Sequence, residues 1–262
     1  MSRLPAGREK FTRRTAAPVT QATDGERYVA IVATSTLPAS QQAVRSSIGL
    51  KLLMAGSGLI FVGYVLLHAY GNLMVLGGAD TFNNYAHHLR TFGQPMLPYG
   101  GLLWIVRVVL LASLVLHAYS AFTLWGRANG ARSTKYAVKK SEASSIASRS
   151  MRFGGLALLL FVVFHILHLT THTITPQGEQ PTPFDNVVNS FDKWWLVLIY
   201  VCAVLALAFH LFHGVWSAAQ TLGLTSTAAS RARAKLVAHF VGALVATAFL
   251  IPPLAILFGI VE

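Results

Sequence analysis

At 262 residues the chain is long enough for one or two soluble domains, but 54% hydrophobic and only 11% charged residues, with a mean hydropathy of +0.54, exclude an aqueous globule. A formal charge of +12 would suit a nucleic-acid binder, yet the basic residues are confined to a few connecting segments, so no nucleic-acid partner is expected. The single cysteine, Cys202, lies in an apolar stretch, which excludes an internal disulfide, a zinc knuckle and a CxxCH attachment; any metal falls to the ten histidines.

Residues 1–44 are polar and show no sustained period. They are expected to form a mobile cytoplasmic tail ahead of a membrane domain over 45–262. No signal peptide is expected, because the first apolar run starts late and is too long for an h-region; a working start nearer Arg45 is the alternative. Crossing hydrocarbon takes about 20 apolar residues in a helix. Five stretches qualify, at about 48–76, 100–126, 152–174, 194–222 and 235–260. None shows the alternation of a membrane barrel, so the predicted fold is all-α, an integral membrane bundle of five transmembrane helices. Pro252 and Pro253 predict a kink or a stop in the fifth.

Lys and Arg number eight through Lys51, seven from Arg127 to Arg152 and three from Arg231 to Lys235, whereas the other two connections hold one each, Arg90 and Lys193. The positive-inside tendency therefore puts the N-terminus in the cytoplasm and the C-terminus outside a bacterial cytoplasmic membrane. Asp80, Glu179, Asp185 and Asp192 fall on the outer connections, and Trp194 with Trp195 stand where an interfacial aromatic belt would anchor the fourth span.

Histidine is costly in lipid and faces the bundle interior when it occurs there. Here it recurs on four successive spans, as His68, as His117, as His165, His168 and His172, and as His210 and His213. His68, His117, His165 and His213 each lie roughly two thirds of the way along their spans. Because odd spans run outward and even spans inward, His68 and His165 share an outer level, and His117 and His213 an inner one, roughly 15 Å apart. Two imidazoles from facing helices supply both axial positions of a six-coordinate haem b, so two levels predict two haems. His165 and His168 are three residues apart, as are His210 and His213, and each pair projects toward one helix face. His168 matches the depth of His68 about as well as His165 does, and His210 is an alternative ligand, a partner of the haem periphery or a core residue. Gly56, Gly58, Gly63, Gly154, Gly155 and Gly214 would let a flat macrocycle approach. Arg107, the one cation well inside a span, is expected near the outer level, paired with a haem propionate.

The segments SSIGLKLLMAGSGLIFVGYVLLHAYGNL, FNNYAHHLR, LHAYSAFTLWGRA, FHILHLTTH and HLFHGVWSAAQTLGL resemble the cytochrome b558 subunit of succinate dehydrogenase and fumarate reductase, the single-chain diheme anchor, over about residues 45–260. The resemblance implies distal haem ligands His68 and His165 and proximal ligands His117 and His213. HGVWSAAQTLG favours His213 over His210, and HILH favours His165 over His168. It further implies a membrane subunit that is not itself catalytic toward succinate. Its partners would be a cytoplasmic flavoprotein subunit and an iron-sulfur subunit, and it would pass electrons through two haems b to a quinone, menaquinone by the resemblance. No flavin fingerprint or iron-sulfur cysteine array occurs here, as that division of labour requires.

A quinone carbonyl needs a hydrogen-bond donor in an apolar pocket. Candidates are Asn72, Tyr85, His87 and His88 near the outer end, and Ser46, Ser47, Trp216 and His239 near the inner end. Two rival readings remain at this level: the haem anchor of another quinone-linked dehydrogenase, such as a formate dehydrogenase or hydrogenase, and a transporter with histidines relaying protons or binding metal. The transporter reading wants carboxylates along a path, and the spans hold essentially none.

Overall fold

The computed structural model of the chain describes residues 46–131, 142–176, 178 and 180–262, with the backbone alone for 142–150. The expected N-terminal tail, most of the basic connection between the second and third spans, and Glu179 lie outside the described residues. The described residues form seven α-helices: α1 (Ser47–Leu73), α2 (Gly78–Thr91), α3 (Gly101–Gly130), α4 (Glu142–Leu169), α5 (Pro183–Phe191), α6 (Trp194–Thr221) and α7 (Ala228–Leu257). No strand occurs among the described residues. Among the described residues five helices are long and apolar enough to cross a membrane: α1, α3, α4, α6 and α7. The all-helical prediction therefore stands, and the spans fall where the apolar runs lie.

Three features depart from expectation. Of the kink or stop expected at its prolines, the fifth span does not make the stop, for α7 continues through Pro252 and Pro253 to Leu257, with both prolines buried. The freed backbone groups are tolerated because neighbouring helices surround them. The third span ends at Leu169, short of the predicted 174, and His172 beyond it takes a positive φ of 52°. Two helices were not anticipated. In α2, Asp80 in the first turn and Arg90 in the last complement the helix dipole. In α5, Pro183 opens the helix after Thr182, whose hydroxyl accepts from the Asp185 amide at 3.2 Å. Both are too short and too polar to register as spans.

Lipid tails are as apolar as leucine, so burial of apolar surface does not drive span association; close packing does. The contact of α6 with α7 follows this rule. Ala238, Gly242, Val245 and Ala248 are buried along one stripe of α7, and a Cβ at Gly242 would lie 3.0 Å from the Ala208 carbonyl oxygen. Around that pair, α1 packs on α3, α6 and α7, while α4 packs on α6. Among the described residues the second and third spans scarcely touch, leaving a seam between α3 and α4. At the end that the charge pattern predicts to be outer, α2 and α5 form a roof. The Phe184 amide donates to Asn83 Oδ1 at 3.0 Å, and Val75, Phe184, Phe191, Val197, Tyr200 and Ile256 make a shared core beneath it. Elsewhere large apolar side chains face outward, among them Leu67, Leu160, Phe209 and Phe240, as lipid contact requires.

Candidate functional site

The intramembrane histidines gather in two places. At the outer level the rings of His68 and His165 meet with centroids 5.8 Å apart and planes at 79°, although their parent helices α1 and α4 scarcely approach. His68 is held from its own helix by Tyr64, stacked at 5.3 Å, and from α7 by Phe249 at 5.6 Å. At the inner level His117 of α3 faces His210 of α6, with centroids 6.1 Å apart. Gly58 on α1 and Gly155 on α4 flank this second pair: a Cβ there would lie 3.3 Å from His117 Cε1 and 3.6 Å from His210 Cε1 respectively.

The spacing of the two levels can be read on three helices. Gly58 and His68 on α1, Gly155 and His165 on α4, and Tyr200, which touches His165, and His210 on α6 are each ten residues apart. Ten residues of α-helix rise about 15 Å. Arg107 lies ten residues from His117 toward the outer end of α3, its guanidinium 4.9 Å from the centroid of the Trp104 ring.

The resemblance favours His213 over His210 at the inner level, whereas the ring brought nearest His117 is that of His210. It is the ring of His210 that stands against His117, while His213 is half-buried three residues further along the helix. A three-residue step turns a helix by about 300°, leaving both side chains within about 60° of one direction, so spacing alone does not choose between them. The rotation of α6 about its axis chooses, and that is set by its seat on α7. At the outer level His168 is fully buried, with Nδ1 3.0 Å from the Tyr200 hydroxyl and Nε2 3.3 Å from Ser190 Oγ. His165 carries the ring that reaches across to His68.

Several details bear on whether a porphyrin iron suits these pairs. His117 Nδ1 lies 3.1 Å from the Met54 carbonyl oxygen, which can only accept, so the proton sits on Nδ1 and Nε2 keeps its lone pair. With metal–imidazole bonds of roughly 2 Å, an iron between two such rings sets their centroids roughly 6 Å apart, close to both observed separations. Two buried side-chain atoms among the described residues lack a hydrogen-bond partner, His210 Nδ1 and Ser120 Oγ, and Ser120 is one turn beyond His117. Both orphans thus fall at the inner level. No group of three or more His, Cys, Asp or Glu side chains converges among the described residues. Paired imidazoles are what a macrocycle needs, since it supplies the other four ligands itself.

The glycines divide. Gly58 and Gly155 receive imidazoles, whereas a Cβ at Gly56, Gly63, Gly154 or Gly214 would meet nothing within 4 Å. Tyr200, Ser190 and the Met54 carbonyl were not anticipated from sequence. Tyr200 carries the one available signal, a phenol in the middle of an apolar span, whose hydroxyl must find a partner.

The candidate quinone residues do not converge. Ser47 Oγ accepts from Arg127 at 3.1 Å and Trp216 lies under the Lys235 ammonium at 5.2 Å, both at the inner end. Asn72 donates to the His68 carbonyl at 2.8 Å, His88 is exposed beside Phe92, and Tyr85 packs over Gly71, where a Cβ would come within 2.8 Å of its hydroxyl. Ser46 caps α1, and His239 is exposed on α7 with its Nδ1 2.8 Å from the Lys235 carbonyl oxygen.

Residues 126–250 match the family model of the succinate dehydrogenase/fumarate reductase transmembrane subunit. Over those residues the chain is similar to that family. The succinate dehydrogenase cytochrome b558 subunit of Bacillus subtilis (strain 168) is 28% identical over 177 residues, which cover 66% of this chain and 79% of that protein. No solved structure matches. The segment shared with the family model contains His165, His168, His210 and His213 and ends within α7, so half of each histidine pair lies inside it. The similarity points to a membrane anchor, and five helices among the described residues are long and apolar enough for insertion.

Proposed function

We propose that this subunit is the electron-transferring anchor of a succinate:quinone oxidoreductase and binds two haems b between its first four spans. His68 and His165 would hold the outer, distal haem, and His117 and His210 the inner, proximal one. The observation that carries the reading is the meeting of histidine rings from facing helices at two levels about 15 Å apart. Bound there, haem supplies reversible one-electron transfer between the two levels.

The chain's own residues prepare both positions. The Met54 carbonyl holds the proton of His117 on Nδ1 and presents Nε2 inward. Tyr64 and Phe249 fix the ring of His68. Arg107 brings a positive charge to the outer level, where it would pair with a propionate. The seam between α3 and α4 would leave room for a flat group, and the roof of α2 and α5 would shield the outer pair from water.

The family supports partnership with a flavoprotein subunit and an iron-sulfur subunit, which would deliver electrons to the inner level, with a membrane quinone such as menaquinone as acceptor. The inner end is basic in the way such docking and a cytoplasmic face require: Arg127 bonds Ser47, Arg152 lies 5.4 Å from the Trp125 ring and Lys235 5.2 Å from Trp216. The test is purification of the intact complex from haem-replete cells. Reduced-minus-oxidised spectra should show b-type bands at two haems per chain, together with succinate-oxidising partners. A colourless chain refutes the haem assignment, and copurification with molybdenum or nickel subunits refutes the choice of complex.

A further inference from the structure

A chain of hydrogen bonds runs from the roof helix α5 to the outer histidine pair, and the direction of every bond in it follows from its first member. Ser190 Oγ lies 2.5 Å from the Asn186 carbonyl oxygen. A backbone carbonyl only accepts, so the single proton of Ser190 is committed there. Toward His168 Nε2, at 3.3 Å, Ser190 can then only accept, and His168 must donate from Nε2. His168 is fully buried, where a neutral imidazole is the form that avoids the cost of a buried charge. With its proton on Nε2, its Nδ1 is an acceptor, and the Tyr200 hydroxyl 3.0 Å away must donate to it. The one proton of Tyr200 is thereby spent. Its oxygen, 3.3 Å from His165 Nδ1, can only accept from that nitrogen. His165 is left protonated on Nδ1, with a bare lone pair on Nε2.

Resting on the reading that His68 and His165 hold a haem, we infer that Tyr200 is the positioning residue of the outer iron ligand. The chain Asn186–Ser190–His168–Tyr200 selects the iron-binding tautomer of His165 and orients its ring. The same chain separates the two histidines that sequence spacing leaves equivalent, since both nitrogens of His168 are engaged by protein groups and only His165 presents one outward. The inner level reaches the same tautomer by a shorter route, with the Met54 carbonyl acting directly on His117. Imidazole ligands are commonly oriented by such a partner on the far nitrogen, which also raises their basicity.

Tyr200→Phe tests the inference in the assembled complex. It keeps the ring, and with it the edge contacts to Phe161 at 5.0 Å and Phe191 at 4.9 Å, while deleting the one hydroxyl. Without its acceptor, His165 donates less electron density and ferric iron loses stabilisation. A tenfold loss of ferric preference raises the midpoint potential of the outer haem by about 59 mV, accompanied by a change in its low-spin electron paramagnetic resonance signal. The inner haem should hold its potential. Ser190→Ala should move the outer potential in the same direction by less, and it decides the matter if Tyr200→Phe does not assemble. Selective loss of the outer haem also supports the inference. An unmoved outer potential, or equal shifts in both haems, overturns it. A wild-type complex without haem instead refutes the functional reading beneath it, so the two failures are distinguishable.

Discussion

Replacing His210 by alanine should remove the inner haem and leave the outer one, whereas His213→Ala should retain both. The contrast follows from helix geometry. His210 meets His117 at 6.1 Å between ring centroids. Bringing His213 to the same place requires turning α6 by about 60° and sliding it about 4.5 Å along its axis. Neither movement is available. The Ala208 carbonyl would be 3.0 Å from a Cβ at Gly242, so α6 is already seated against the backbone of α7, and the same movement would carry Tyr200 away from His165 and His168. His210→Ala should therefore halve the haem-to-chain ratio, from two to one, and reduce two one-electron steps to one in a redox titration. The assay is haem quantitation by the pyridine haemochrome method on the purified complex, with protein measured on the same sample. Retention of both haems in His210→Ala, with loss of one in His213→Ala, would refute the assignment and the packing argument beneath it.

Four further outcomes are expected. His117→Ala should remove the inner haem alone, measured in the same titration. Arg107→Gln removes a positive charge from the outer level, which favours ferric iron there; the outer midpoint potential should fall while the inner one stays, opposite in sign to the shift expected for Tyr200→Phe. Gly58→Val places branched carbon where a Cβ already stands 3.3 Å from His117 Cε1, and it should cost the inner haem while the outer survives, read from spectra at matched protein. Gly242→Ala forces α6 and α7 apart by a few tenths of an ångström, and overpacking of this kind costs about 1–3 kcal/mol; a lowered midpoint for detergent-induced unfolding checks it, with Ala238→Ser at the same interface for comparison.

The five spans were legible in the sequence because crossing hydrocarbon demands a length and a composition that local residues satisfy alone. The two histidine levels were legible for a related reason. Rise per residue is constant along a helix, so counting from the apolar boundaries converts position into depth. Arg107 was placed by the same counting; Gly58 and Gly155 were two of six glycines named for close approach, and the structure sets these two against His117 and His210.

Depth is one coordinate, and angle about the helix axis is another that counting does not supply. His210 and His213 lie on one face of α6, and which one meets α3 was decided by the way α6 rests on the small residues of α7. His165 and His168 differ in their surroundings only after α5 and α6 bring Ser190 and Tyr200 to the latter's two nitrogens. The helices α2 and α5 escaped a search for spans because their reason for existing is each other: Asn83 caps an amide of α5, and Phe82 packs on Phe184 at 6.4 Å. Membership of the membrane, and the heights of its polar groups, are properties of single helices and are written residue by residue. Which imidazole faces which, and where its proton sits, are properties of neighbours distant in the chain, and only tertiary packing brings them together.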